Sequence, residues 1–211
     1  MQTINYKIDR NQNIHKPIIA SEYKVKGKSN SNQLRPESCP AIYQGSKKGI
    51  LFFSEKEYRF EKCGNHTVYK YKTLNNIDKS TGHEIVTPAL LGSNENEIGY
   101  FKIGNGLSIQ LKDCGAFILP PIDPRLKIKN LEYSIAYLPP FYAGQLVAGI
   151  RPLDDLLIPE GAVIGQLILL NELPIDLIEN DFEHSINFFE DKFKIIDSNP
   201  IVTSRNEFYK I

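Results

Sequence analysis

The residues best placed to hold a ligand are Tyr137, Tyr142, Gly144, Arg151, Asp154, Asp155 and Gln166. Gln166 sits in the nearly continuous apolar run from Val163 to Leu170. A buried amide needs hydrogen-bond partners, so Gln166 is either structurally tied or functional. Asp154 and Asp155 are adjacent acids. On a strand they would point to opposite faces and could not act as a pair. Between Pro152 and Pro159 they read as a turn, where Asp bonds to nearby backbone. The competing reading is a metal-binding or base carboxylate, partnered by Asp113, Asp123 or Glu132. Tyr137, Phe141 and Tyr142 flank Pro139-Pro140, and Gly144 closes that corner. Such a cluster can wall a pocket or form a protomer contact.

Other chemistries have less to stand on. The histidines, His15, His66, His83 and His184, show no HxH, HxD or HExxH spacing. A 2-His-1-carboxylate iron site would require His66 and His83 to converge with an acid. No metal ligand is assigned on spacing, and no cofactor is named by the sequence. Cys63 precedes His66 by three positions, which could form a Cys–His pair because a neighbouring imidazole favours the thiolate. Turn-located bystanders are the alternative. Cys39 has no local histidine, and Cys114 reads as a small core residue. The loop Gly45-Ser46-Lys47-Lys48-Gly49 could cradle a phosphate through its amides and ammonium groups, but it lacks the Walker order. A solvated turn is the favoured reading.

The elements that must position these groups are mostly strands. Ile50 to Phe53 reads as a buried strand, and Glu57 to Phe60 and Thr67 to Lys72 alternate as half-buried strands do. Glu97 to Ile103 and Leu107 to Leu111 flank Gly104-Asn105-Gly106, which predicts a hairpin because Asn and Gly tolerate positive φ. Gly115 to Leu119, Asn130 to Leu138, Gln145 to Ile150, Leu156 to Ile158 and Val163 to Leu170 complete the series. Pro120-Pro121 and Pro139-Pro140 stop two of them. Many short strands with Pro and Gly punctuation predict a mainly β fold, as a sandwich, jelly roll or distorted barrel. One C-terminal helix is expected at 179–193, where Phe182, Ile186, Phe189 and Phe193 recur at helical spacing. The expected organisation is an irregular N-terminal segment over 1–48, a β core over 49–178, and a C-terminal helix and tail over 179–211.

A family resemblance rests on 141–170. Phe141-Tyr142-Ala143-Gly144-Gln145-Leu146 is similar to a Gly-Phe/Tyr-x-Gly-x-Leu strand entry. The run Pro159-Glu160-Gly161-Ala162-Val163-Ile164-Gly165-Gln166-Leu167-Ile168 resembles a Pro-Gly-x-x-Ile-Gly/Ala-Gln-Leu turn and strand. Both belong to the dUTPase and dCTP deaminase superfamily. The resemblance implies that Gln166 lies near a bound nucleotide or its metal. The family's phosphate-binding arginine and serine have no match: 120–137 offers Arg125 and Ser134 out of pattern. Its catalytic acid motif is also absent, so the resemblance implies the fold more than the activity.

The bulk properties narrow the classes. A chain of 211 residues can bury a core without disulfides or metal. Lys plus Arg and Asp plus Glu both number 25, giving no net charge, which argues against bulk binding to nucleic acid or anionic membrane. Three scattered cysteines predict a reduced, cytoplasmic setting. Met1 to Arg10 shows no signal-peptide pattern, and no apolar run is long enough to span a membrane. The expected function is a binding or interaction protein that self-associates and takes a nucleotide-like or other small polar ligand. The alternative is an enzyme on a β scaffold, nucleotide hydrolase-like or deaminase-like, or metal-dependent through His66, His83 and an acid.

Overall fold

The computed structural model describes residues 1–8, 15–25, 36–55, 57–62, 69–73 and 101–183. Strand β1 (Gln2–Ile8) buries Gln2, Ile4 and Tyr6 and leaves Thr3, Asn5 and Lys7 half-exposed. That period of two is what a strand packed on one face requires. A short β2 (Ile18–Ile19), a 3-10 turn at Pro36–Ser38 and helix α1 (Pro40–Ser46) follow. Pro40 opens α1, where its missing N–H costs nothing. The N-terminal 48 residues, expected to be irregular, therefore supply two strands, a 3-10 turn and a helix. The alternation in Gln-Thr-Ile-Asn-Tyr-Lys-Ile is hidden by its many polar residues.

The remaining strands are β3 (Ile50–Phe53), β4 (Tyr58–Lys62), β5 (Tyr69–Thr73), β6 (Phe101–Gln110), β7 (Ala116–Leu119), β8 (Leu131–Ser134) and β9 (Ala136–Leu138). They continue as β10 (Ala143–Pro152), β11 (Leu156–Ile158), β12 (Val163–Leu169) and β13 (Ile175–Glu179). One five-stranded sheet runs β13-β1-β6-β10-β8 and a second runs β2-β3-β12-β7-β9. A three-stranded sheet, β11-β4-β5, adds Tyr58, Phe60 and Ile158 to the same core. The main core joins Ile4, Ile109 and Leu146 of the first sheet to Phe52, Ile118 and Leu167 of the second. The protein is mostly β and sandwich-like. Neither five-stranded sheet closes into a barrel.

Three local outcomes differ from the sequence expectation. The Gly104-Asn105-Gly106 step is not a hairpin: β6 passes straight through it, pairing with β10 from Gln110↔Ala143 to Phe101↔Ile150. The register jumps there, from Gln145↔Ser108 to Val147↔Gly104, and Gly106 has φ 64°. A positive-φ glycine serves a bulge as well as a turn, and here it takes up the extra residues of β6. The expected strand over 130–138 is shared between two sheets. Its first half, β8, pairs with β10, and its second half, β9, pairs with β7, with Ile135 at the crossing. Finally, Glu179 ends a strand that pairs in parallel with β1, and 180–183 are not helical. The rest of the expected helix, and the tail after it, lie outside the described residues.

The outer face of the second sheet positions the surfaces discussed below. Ala20, Leu51, Phe53 and Val163 form a small separate core there, packed by Ile18, Tyr23 and Leu126. Helix α1 lies over the adjoining part, where Gly45 approaches Ile122 so closely that a Cβ would sit 3.3 Å from it. Further along the same face nothing described covers Phe117 and Tyr137, which remain 37% and 52% exposed.

Candidate functional site

Gln166 is 1% exposed and its amide is fully committed. Its Oε1 accepts from the Ile122 N–H at 2.9 Å, and its Nε2 donates to the Gly45 and Lys48 carbonyls at 3.1 and 2.7 Å. It thus ties β12 to the end of α1 and to the loop after β7. Both amide hydrogens are spent on backbone, so the group expected near a ligand acts as a structural clamp. The Gly45–Gly49 loop is turned to the same purpose. The Lys47 and Lys48 N–H groups donate to Gln44 and Gly45, which keeps them from an anion.

Tyr142 lies at the start of β10. Its hydroxyl donates to the Gln145 carbonyl at 2.7 Å, and burial pushes its pKa up to about 12. Gly144 leaves room for that ring: a Cβ would stand 3.0 Å from the Tyr142 hydroxyl oxygen. Arg151 lies at the far end of β10, roughly 30 Å along the strand from Tyr142. It bonds Glu132 on the neighbouring strand, with Nε 2.7 Å from Oε2. Asp154 and Asp155 occupy the exposed bend before β11, where Asp154 accepts from the Asp155 N–H at 2.8 Å. The turn reading of these acids fits the geometry. Tyr137 belongs to the other sheet. The expected residues are therefore spread over both sheets and do not converge on one site.

Residues 143–169 build β10, β11, a turn and β12. Their glycines serve packing. Gly161 holds φ 74° in the turn, and a Cβ on Gly165 would lie 2.1 Å from the Phe52 ring. Cys63, His66, His83 and His184 lie outside the described residues. Among the described residues there is no group of three or more His, Cys, Asp or Glu that could hold a metal. No helix among them is long and apolar enough to cross a membrane. Burial, with the Asp113 carboxylate adding to it, raises the Cys114 thiol pKa, which disfavours the nucleophilic thiolate.

The structure does assemble an aromatic surface. Phe117 of β7 and Tyr137 of β9 are direct cross-strand partners, with ring centroids 5.5 Å apart and tilted by 52°. Ile168 of β12 is the next residue across the same row. Gly115 makes room for Tyr137: a Cβ there would stand 2.7 Å from its hydroxyl oxygen. Strand β9 is the edge of its sheet. In the neighbouring turn Phe141, with φ 64°, is 68% exposed, and Ile135 at the sheet crossing is 64% exposed. Tyr137 was expected on sequence, but Phe117 was not. Its apolar type at an alternate strand position reads as core until the covered and uncovered halves of the face are known.

Compared with protein-family models and with curated proteins, the chain matches none.

Proposed function

We propose that this chain is a β-sandwich interaction module that joins a second copy of itself through the open half of the second sheet. The single observation that carries this reading is the exposed Phe117–Tyr137 pair beside an edge strand. Aromatic side chains bury much apolar area at little entropic cost, and exposed clusters of them commonly mark contact surfaces. The edge strand offers backbone groups to the same partner. The candidates for chemistry support the reading too: Gln166, Arg151, Asp154 and Tyr142 each spend their polar groups on intramolecular bonds.

The test is light scattering on the whole chain over a concentration series, with Phe117→Ser and Tyr137→Ser introduced together. The native chain is expected to show a mass above that of one copy, rising with concentration. The double variant should stay monomeric with its cooperative unfolding retained. A native chain that is strictly monomeric at high concentration would sink the proposal. So would a double variant that is folded and still associates.

A further inference from the structure

The stretch 130–138 closes one side of the sandwich for both sheets. Its first half, β8, is the last strand of the first sheet, and its second half, β9, is the last strand of the second. The bonds at either end fix which way its main-chain groups point. The Leu153 N–H donates to the Asn130 carbonyl at 2.9 Å, in the register that sets Arg151 opposite Glu132 and Gly149 opposite Ser134. Antiparallel pairs alternate between bonded and non-bonded. Glu132 and Ser134 therefore turn their N–H and C=O towards β10, and Leu131 and Tyr133 turn theirs outward. In the second sheet the Leu170 N–H donates to the Gly115 carbonyl at 3.0 Å, in the register that sets Ile168 opposite Phe117. Phe117 thus bonds to β12, while Ala116 and Ile118 bond to Leu138 and Ala136 of β9. That leaves the Tyr137 main chain pointing outward. Even positions face inward in both halves, so Leu131, Tyr133, Ile135 and Tyr137 make one outward row across the sheet crossing.

Exposed edges are normally blunted by shortness, charge or proline. The opposite edges of the two sheets are blunted: β2 is two residues long, and β13 carries Asp176 and Glu179. From Leu131 to Leu138 there is no Lys, Pro or Gly. The single charge there, Glu132, is held by Arg151 of its own chain. No described strand lies beyond this edge.

We infer that this edge pairs with the same edge of a second copy, antiparallel about a two-fold axis, with Leu131 opposite Tyr137 and Tyr133 opposite Ile135. The inference rests on the self-association proposed above and specifies how the copies join. In this register every residue of the outward row meets another of the row, and each such pair exchanges two N–H···O bonds. The next register in one direction sets Leu131 against Pro139, which has no N–H to give. The next in the other direction sets Tyr137 against Lys129, outside β8. Glu132 faces Ala136 of the second copy, so no like charges meet across the pair. Because β8 of one copy pairs with β9 of the other, the first sheet of each copy runs on into the second sheet of its partner. The contact is isologous and closes on itself.

Residue-resolved amide hydrogen exchange on the whole chain, at a low and a high concentration, tests the pairing, with association followed by light scattering. The Leu131, Tyr133, Ile135 and Tyr137 amides are expected to gain at least about tenfold protection as the chain associates, because their exchange then waits for dissociation. The Glu132, Ser134, Ala136 and Leu138 amides, bonded within each copy, should change far less. Ser134→Cys gives an independent readout. On the axis Ser134 faces its own counterpart in a non-bonded pair, with Cβ atoms about 5 Å apart. Mild oxidation should link two copies of this variant at that position and leave the native chain, with its three cysteines, unlinked. A chain that associates while the outward amides exchange as in the monomer would overturn the inference and leave self-association standing. A Ser134→Cys variant that associates without linking would do the same. A native chain that stays monomeric removes both.

Discussion

At the scale of single residues, Gln166 separates a structural from a functional reading. Its buried amide bonds three backbone groups, so Gln166→Ala should cost about 3 kcal/mol. For a chain of this size that lowers Tm by roughly 6–12 °C. A calorimetric Tm within a degree or two of the native value would mean that the amide's bonds contribute nothing. The need for partners could be read from the sequence, because an amide among Val, Ile and Leu cannot go unpaired. Their identity could not, since two of them come from 118 and 121 positions away. Arg151 shows the same limit: its partner Glu132 is fixed by the pairing of β8 with β10. Asp154 and Asp155 were legible, because a turn is local chemistry.

At the scale of elements, strands whose apolar pattern is short and bounded by Pro or Gly could be placed well from sequence. Ile50–Phe53 and Leu156–Ile158 fall as expected. Ambiguity entered where one residue type serves two geometries. Gly106 could turn a hairpin or absorb a bulge, and only the partner strand β10 decides between them. Gly165 poses the same kind of question. It pairs with Phe52 across β12 and β3, and the ring fills the space a side chain would need. Gly165→Ala should therefore cost about 2 kcal/mol by overpacking. Shortening the ring with Phe52→Leu in the same chain should recover part of that loss. The recovery is read as a coupling energy in a double-mutant cycle from denaturant melts. Strict additivity of the two changes would show that the ring and the glycine are not in contact. The aromatic corner was visible in the sequence as Tyr137 and Phe141. Its working half, Phe117, was invisible because burial on one face of a sheet depends on what packs over it.

At the scale of the whole molecule, the core carries a titratable signature. Burial raises the Tyr133 and Tyr142 hydroxyls from 10 to about 12. The folded chain holds these protons more tightly than the unfolded chain does. Their contribution to stability is complete below about pH 10 and is lost as the pH rises towards about 12. Denaturant melts at stepped alkaline pH should show stability falling through that window. A Tyr133→Phe/Tyr142→Phe variant should fall less steeply, and an identical slope would count against the assignment. On the outer layer of the second sheet, one half is capped by α1 and the other leaves Phe117 and Tyr137 exposed. The whole arrangement depends on how the first sheet is closed. Strand β1 lies between β6 and β13, with Asn5 opposite Gln110 and Gln2 opposite Ile175. On a ribosome, β1 is made long before either neighbour exists. At usual elongation speeds it waits roughly 10–35 s for β13. Until β3 and β6 emerge its apolar stripe of Ile4 and Tyr6 has no core to pack against, and its outer edge stays unpaired until β13 arrives.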